Sequence, residues 1–382
     1  MRPTTERPEA LRAIELVQPV SIALVGGFLG AGKTTAIGAL ATELIGRGKR
    51  VAVVTNDQAA GLVDTSLGLR QKLPMAEVAG GCFCCKFEDM LNAILKLLPT
   101  KPEVILCEPV GSCTDMAATV LNPLKVYYPD TFNLVPFSVL ADPVRARETV
   151  LGEAEPRFDP QVGYIFRKQL EESDVIALTK CDTLADDEAT CVAALLKERY
   201  ERPVLLIAAI EGRGISDWAD YLLSQQPVGG HVLSDVDYGT YATGEAALGW
   251  LNATVRLTHK SGFDAREFVG ALIQSMQSSI DSAGAEIAHL KAAIDGGVPF
   301  VRGHLTSTSG APTYHPDNTV EVVEGQLILN ARVAIDPDRL EKIALSAIKQ
   351  SSAELDITAE NVTIRCFRPG YPRPPYRILG VQ

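Results

Sequence analysis

Long hydrophobic runs are missing from this chain. No apolar stretch reaches the roughly 18 residues that a membrane-spanning helix needs. The opening MRPTTERPEALRAIELVQ is charged throughout and lacks the apolar segment of a secretory signal. These absences set the expectation of a cytoplasmic protein with no membrane partner. Long basic blocks are missing too. Asp and Glu number 47 against 36 Lys and Arg, a formal charge of −11. That balance argues against nucleic acid or an anionic bilayer as partner. Cysteine is scarce, eight in 382 residues, too few for a disulfide scaffold. The five histidines (His231, His259, His289, His304 and His315) are dispersed and form no chelating tract.

The composition that remains is ordinary: 46% hydrophobic, 22% charged, with a length that suits two domains. The cysteines are unevenly placed. Cys82, Cys84, Cys85, Cys107 and Cys113 cluster, while Cys181, Cys191 and Cys366 are scattered. In a reducing compartment such a cluster points to metal or redox chemistry rather than cross-links.

The segment VSIALVGGFLGAGKTTAIGALATELIGRG runs from an apolar strand through a glycine-rich turn into helical periodicity. Gly27-x4-Gly32-Lys33-Thr34 is a complete P-loop pattern, with Gly30 and Ala31 inside it. Its backbone N–H groups suit phosphate oxygens, and the helix N-terminus adds a positive dipole end. Lys33 is expected to reach the β- and γ-phosphates, and the Thr34 hydroxyl to ligate Mg2+. KRVAVVTND is a further buried strand ending at Asn56 and Asp57, and EVILCEPVG another ending at Glu108 and Gly111. Strand ends face the ligand crevice in parallel α/β sheets. An acid followed three residues later by glycine suits a γ-phosphate sensor, although a strand-end acid also serves to cap a helix. SDVIALTKCD ends in Thr179-Lys180-Cys181-Asp182, which fits the guanine-reading pattern [NT]KxD. The Asp182 carboxylate can accept hydrogen bonds from guanine N1 and N2, and the Lys180 stem can pack on the base. The backbone around Ala208 and Ala209 is positioned to meet guanine O6. GTP is therefore the expected nucleotide.

These blocks together resemble the CobW-type GTPases, within the CobW/HypB/UreG group of metal-centre GTPases. The residues that carry the resemblance are GGFLGAGKTT, NDQAAGLVD, GGCFCC, and CEPVG with TKCD, over roughly positions 20 to 225. The resemblance implies a GTPase that binds a transition metal through a CxCC motif, Cys82, Cys84 and Cys85. It would deliver that metal, or a metal-containing cofactor, to a client. It assigns Lys33, Thr34 and Thr35 to phosphate and Mg2+, Asp57 and Asp64 to the first switch, Glu108 and Gly111 to the second, and Lys180 and Asp182 to the base. The chain departs from the family pattern where Asp57 replaces a longer Glu and where Cys113 replaces a small residue.

Three thiols leave a tetrahedral site incomplete, which favours exchange over permanent structure. Soft thiolates select Zn2+, Cu+ or Co2+ over Mg2+ and Ca2+, and Zn2+ or Co2+ is the expected cargo. Cys113, two residues past Gly111, is a candidate fourth or alternate ligand. A small buried core thiol is the other reading for Cys113, and also for Cys107. Neighbouring thiols also oxidise readily, so a redox switch stays open. The client is expected to be a metalloprotein or a corrinoid protein, the latter making the chain a chaperone of a cobalamin-dependent enzyme. A nucleotide-gated interaction protein with structural zinc is the alternative from another class. A nucleotide-dependent homodimer would be one route to activation.

The expected organisation is an N-terminal arm at 1–18, then an α/β P-loop GTPase domain with a mostly parallel sheet at 19–226. A Gly/Ser/Asp/Tyr-rich linker follows at 227–245, and a smaller α+β domain at 246–382. The latter reads as ferredoxin-like βαββαβ, with one long helix across DAREFVGALIQSMQSSIDSAGAEIAHLKAAID. DPDRLEK opens a second helix with an Asp N-cap and Pro in its first turn. The tail RPGYPRPPYRIL is expected to be an extended arm docked on its own domain or on a partner.

Overall fold

A computed structural model of the chain describes residues 18–57, 73–152, 156–224, 231–297 and 300–380. The first unit is built on short apolar strands: β1 Val20–Gly27, β2 Val51–Asp57, β3 Met75–Ala79, β4 Val104–Glu108, β5 Phe132–Leu134, β6 Ser138–Ala141, β7 Val175–Leu178 and β8 Val204–Leu206. They pair in the order β3-β2-β4-β1-β6-β7-β8, all parallel, with β5 also on β1. Strands such as VILC and VIAL are apolar on both faces because helices cover both. On one face Ala36, Ile37 and Leu40 of helix Lys33–Gly46 meet Trp218 and Leu222 of helix Ile215–Leu223. The other face buries Met90, Leu91 and Ile94 of helix Phe87–Leu97, and Ile165 and Phe166 of helix Pro160–Glu171. The chain builds outward from β1 on one side and then crosses to the other. The crevice at its C-terminal end is thus the topological switch point where ligands bind.

The second unit is α+β: β9 Gly249–Asp264, helix Ala265–Ser282, β10 Ile287–Asp295, β11 Phe300–Leu305, β12 Thr313–His315, β13 Glu321–Val333, helix Pro337–Glu354 and β14 Thr358–Phe367. The antiparallel sheet has the order β12-β11-β10-β13-β9-β14. Strands β14-β9-β13-β10 form the ferredoxin-like core, and β11 and β12 extend its edge. The long helix expected across 264–295 is shorter than its apolar pattern suggests. It ends at Ser282, Gly284 takes φ 66, and IAHLKAAID is a strand between β11 and β13. Leu290, Ala292 and Ile294 enter the core on alternate positions, a period of two that the alanines mask in the sequence. Asp336 caps helix Pro337–Glu354 by accepting from the Asp338 N–H, with Pro337 in its first turn.

Two further expectations change. Within the expected linker, Tyr238–Ala246 is a helix, started by Asp237 accepting from the Gly239 and Thr240 N–H groups. It lies so close to helix Pro160–Glu171 that a Cβ on Gly244 would stand 2.5 Å from the Gln161 carbonyl oxygen. The C-terminal arm starts on its own unit, where Arg368 pairs with Asp336 at 3.6 Å, and then docks on the first unit. The Ile378 N–H donates to the Ala118 carbonyl at 2.9 Å, and Asn122 Nδ2 donates to the Ile378 carbonyl at 2.7 Å. Among the described residues no helix is long and apolar enough to cross a membrane.

Candidate nucleotide and metal sites

The P-loop stands at the switch point. Gly27 ends β1, and Gly32, at φ 84, leads directly into helix Lys33–Gly46. Lys33 Nζ donates to the carbonyls of Gly27 at 2.8 Å and Phe28 at 3.2 Å. Thr34 Oγ1 donates to the Glu108 carboxylate at 2.9 and 3.2 Å, which sets the two expected Mg2+ ligands side by side. Gly30, Gly32, Lys33, Thr34, Thr35, Glu108, Gly111 and Lys180 line one cleft. Ala31 backs it, its carbonyl accepting from Thr179 Oγ1 at 2.9 Å. That bond ties the guanine loop to the P-loop.

Lys180 takes φ 54 and pairs with Asp142 at 2.6 Å. Asp182 is exposed beside it, outside the residues that line the cleft. The Ala208 N–H donates to the Arg213 carbonyl at 3.0 Å, so it is not the group that meets guanine O6. Asp57 ends β2, and Asp64 lies outside the described residues.

Gly111 touches the P-loop. A Cβ there would fall 2.7 Å from Leu29 Cδ2 and 3.0 Å from the Leu29 backbone nitrogen. Gly111→Ala should therefore displace the sensor loop from the phosphate site. We expect it to lower the rate of GTP hydrolysis at least about tenfold while GDP affinity holds within threefold, measured by phosphate release and by fluorescent-GDP titration.

The CxCC loop joins β3 to helix Phe87–Leu97. Cys85 and Lys86 N–H groups both donate to the Cys82 carbonyl, at 3.0 and 2.8 Å, closing a tight turn. The turn brings Cys82 Sγ to 2.8 Å from Cys84 Sγ, and Cys84 Sγ to 3.9 Å from Cys85 Sγ. All three sulfurs lie within 4.8 Å of one another. Cys82 and Cys84 are buried and Cys85 half-buried. Buried Cys113 lies close enough to perturb Cys82 and Cys84, but it is not among the three sulfurs that all lie within 4.8 Å of one another. The thiols sort by charge. Cys82 is held well below the usual thiol range because Cys113, Cys84 and Cys85 donate to its thiolate. Cys84 is pushed well up by its bonds to Cys113 and Cys82, and Cys85 up to about 12, chiefly by Cys82. Burial first, and then Cys82, push Cys113 up. A pocket that gathers three cysteine sulfurs within 4.8 Å of one another offers the donor set of a soft metal ion. Cys107, by contrast, is pushed up to about 12 by burial alone, as befits a core thiol.

Several residues that local motifs do not flag hold these parts together. Asn56, at the end of β2, donates to the carbonyls of Val78 and Gly81 at 2.9 and 2.7 Å and accepts from the Phe83 N–H at 2.8 Å. It thereby fastens the CxCC loop to a strand end that also lines the nucleotide cleft. Gln169 Nε2 donates to the carbonyls of Gly111 and Cys113 at 3.0 and 2.8 Å. Ser112 Oγ donates to the buried Glu245 at 2.5 Å, and burial first, then Cys82, push that carboxyl up to about 8. Asp115 is fully buried at φ 67. It accepts from Tyr238 Oη at 2.7 Å and from Arg377 Nε at 2.6 Å. The same arm passes over the thiols, where the Arg373 N–H donates to Cys85 Sγ at 3.2 Å and Tyr376 Oη donates to Glu88 at 2.7 Å. No local pattern could have announced Gln169, Glu245 or Arg377, because each arrives from a distant segment.

Arg377→Ala strands the Asp115 carboxylate without its cation. Because Arg377 is partly exposed, we expect a loss of about 1.5–3 kcal/mol rather than the larger cost of a fully buried pair. Denaturant unfolding measures that loss, and faster reaction of Cys85 with a thiol reagent reports release of the arm.

A P-loop, a strand-end acid on its hydroxyl and a TKxD loop, converging on one end of a parallel sheet, have the arrangement of a P-loop nucleotide site. Residues 21–204 match the nucleotide-binding domain of the CobW/HypB/UreG family. The first unit of this chain is thus similar to the CobW-type GTPase domains of that family. The chain is 25% identical over 264 residues to zinc-regulated GTPase metalloprotein activator 1 of Dictyostelium discoideum, across 58% of this chain and 54% of that one. It is 25% identical over 242 residues to the zinc chaperone CobW of Pseudomonas aeruginosa, across 55% and 62%. It is 32% identical over 104 residues to the zinc chaperone YjiA of Escherichia coli, across 26% and 32%. The chain thus matches at most about three-fifths of the length of these relatives.

Proposed function

We propose that this protein is a GTP-hydrolysing metallochaperone that carries zinc and yields it to a client metalloprotein. GTP with Mg2+ would occupy the cleft, held by the P-loop backbone, Lys33, Thr34 and Glu108, with the base against Lys180 and Asp182. Zinc is the cargo, held by Cys82, Cys84 and Cys85, with Cys113 as fourth thiolate. Zinc is favoured over cobalt because three similar proteins carry zinc in their names. The observation that carries this reading is the place of Cys113. Its buried thiol lies near Cys82 and Cys84, while two residues earlier Gly111 leans on the P-loop. A phosphate that draws on the Gly111 N–H therefore pulls on a metal ligand.

Titration with Co2+ as a spectroscopic stand-in, and then with Zn2+, tests the cargo site. One equivalent should give intense thiolate-to-cobalt absorption that zinc bleaches. GTP hydrolysis should exceed ATP hydrolysis by at least about tenfold. Absence of thiolate absorption, or equal turnover of both nucleotides, would sink the reading.

A further inference from the structure

The second unit does not hang beside the nucleotide cleft; it forms one wall of it. Its two long helices cover one face of the sheet, where Val301, Leu305, Leu290, Leu329 and Ala331 are buried. The alternate residues of the same strands point the other way, onto the P-loop. A Cβ on Gly30 would stand 3.0 Å from the Ala288 carbonyl oxygen and 3.1 Å from Thr306 Cγ2. The wall is pinned in place by buried Arg145, which follows β6. Its Nη2 donates to the carbonyls of Thr306 at 2.9 Å and Ile287 at 3.2 Å, and to Glu286 at 3.1 Å.

The face so presented is basic, with Lys291, Arg302 and Arg332 as its lasting charges. It carries His289 and Lys291 on β10, Arg302 and His304 on β11, and Arg332 on β13, and all five line the cleft together with Lys33. The strand register sets Lys291 opposite His304 and His289 opposite Arg332. Like charges directly opposite one another destabilise a sheet. Burial, then Lys291, Arg332, Lys33 and His304, hold His289 well below its usual range, so the fold keeps it neutral. Glu108 is the one carboxylate among the described lining residues, and it faces Thr34. Such a wall suits a polyanion, and the triphosphate is the polyanion this cleft would take.

The cations are not equivalent. The Arg332 guanidinium lies 4.2 Å above the Trp250 ring and donates to the Leu251 and Ala331 carbonyls and to Asn252 Oδ1. Its own sheet holds it in place. Arg302 stands on β11, two residues from His304 and among the cleft-lining residues, and a guanidinium offers the planar fork that grips phosphate oxygens in pairs.

We propose that the second unit supplies, within the same chain, the cation that stabilises the γ-phosphoryl group during hydrolysis, and that Arg302 is this catalytic residue, with Lys291 beside it. Water attacks the γ-phosphorus, the bond from that phosphorus to the β–γ bridging oxygen breaks, and GDP and inorganic phosphate leave. Arg302 donates hydrogen bonds to the γ-phosphate oxygens throughout and transfers no proton. The proposal rests on the GTPase reading above and extends it: both units must be docked for turnover.

The test uses the full-length protein as wild type, Arg302→Ala, Arg302→Lys and Lys291→Ala, each checked for an unchanged unfolding midpoint. Steady-state GTP hydrolysis and equilibrium titration with fluorescent GDP are measured on all four. Arg302→Ala should lower kcat about 100- to 1000-fold, with KM and GDP affinity changed less than threefold. Arg302→Lys should recover part of that loss, and Lys291→Ala should cost less. A kcat within threefold of wild type for Arg302→Ala overturns the proposal. So does a loss confined to KM, or an equal loss of GDP affinity. If Arg302→Ala does not fold, Arg302→Lys decides: a kcat equal to wild type contradicts the need for the guanidinium fork. A wild-type chain that binds no GTP would overturn the nucleotide reading itself, a different result from a turning-over enzyme indifferent to Arg302.

Discussion

Cys84→Ser should lower zinc affinity by about two to three orders of magnitude, read by competition against a chromophoric chelator. The size follows from the site. Four-ligand zinc sites bind with about 10–16 kcal/mol, so one thiolate exchanged for a hydroxyl forfeits about 3–4 kcal/mol. Cys84 is the sulfur in the middle of the group, 2.8 Å from Cys82 and 3.9 Å from Cys85. Its loss breaks the cluster rather than trimming an edge. Cys107→Ser is the matched control, since that buried thiol belongs to the sheet core and not to the cluster. It should leave zinc affinity unchanged. A Cys84→Ser protein that holds zinc as tightly as wild type would remove the CxCC loop from the account.

Lys33→Ala is the second large effect. Its ammonium is buried over the loop, on the Gly27 and Phe28 carbonyls, at the place where the β- and γ-phosphates would lie. Removing a preorganised charge from such a site costs about 100- to 1000-fold in kcat. Nucleotide affinity should fall as well, because that cation also binds the ground state. Zinc affinity without nucleotide should stay near wild type, because Lys33 touches none of the thiols. The two substitutions thus separate the halves of the machine. Cys84→Ser should leave basal hydrolysis intact, and Lys33→Ala should leave basal zinc binding intact.

What the sequence made legible was whatever is local. The P-loop, the acid at the end of β4 and the TKCD loop each carry their chemistry in consecutive residues, and the structure sets Thr34 against Glu108 and Thr179 against Ala31. The continuous apolar runs of β4 and β7 announced a parallel sheet covered on both faces. In the second unit IAHLKAAID was hidden. Its alanines suit a helix as well as a strand, and only pairing with β11 and β13 decides the matter. The cationic wall was hidden for a related reason. His289, Arg302 and Arg332 are dispersed in the chain and become one surface only through strand register. Asn56 shows the middle case. It was visible as a strand end, but its three bonds to the CxCC loop depend on where β3 leads that loop.

The loop from Glu108 to Asp115 is the element on which the account turns. It touches Thr34 and Leu29 at its start, the thiol cluster at Cys113, and the C-terminal arm at Asp115. Gln169 and Glu245 hold it between those contacts. A loop so tied has few independent motions, which is why the proposed function expects a pull at Gly111 to be felt at the thiols.

The central claim is that nucleotide state sets metal affinity, and the direct measurement is competitive zinc titration with saturating GDP and, separately, with a non-hydrolysable GTP analogue. The account predicts dissociation constants that differ at least about tenfold, a coupling of about 1.4 kcal/mol, with the difference reduced in Cys113→Ala. Equal zinc affinities in the two nucleotide states would contradict it.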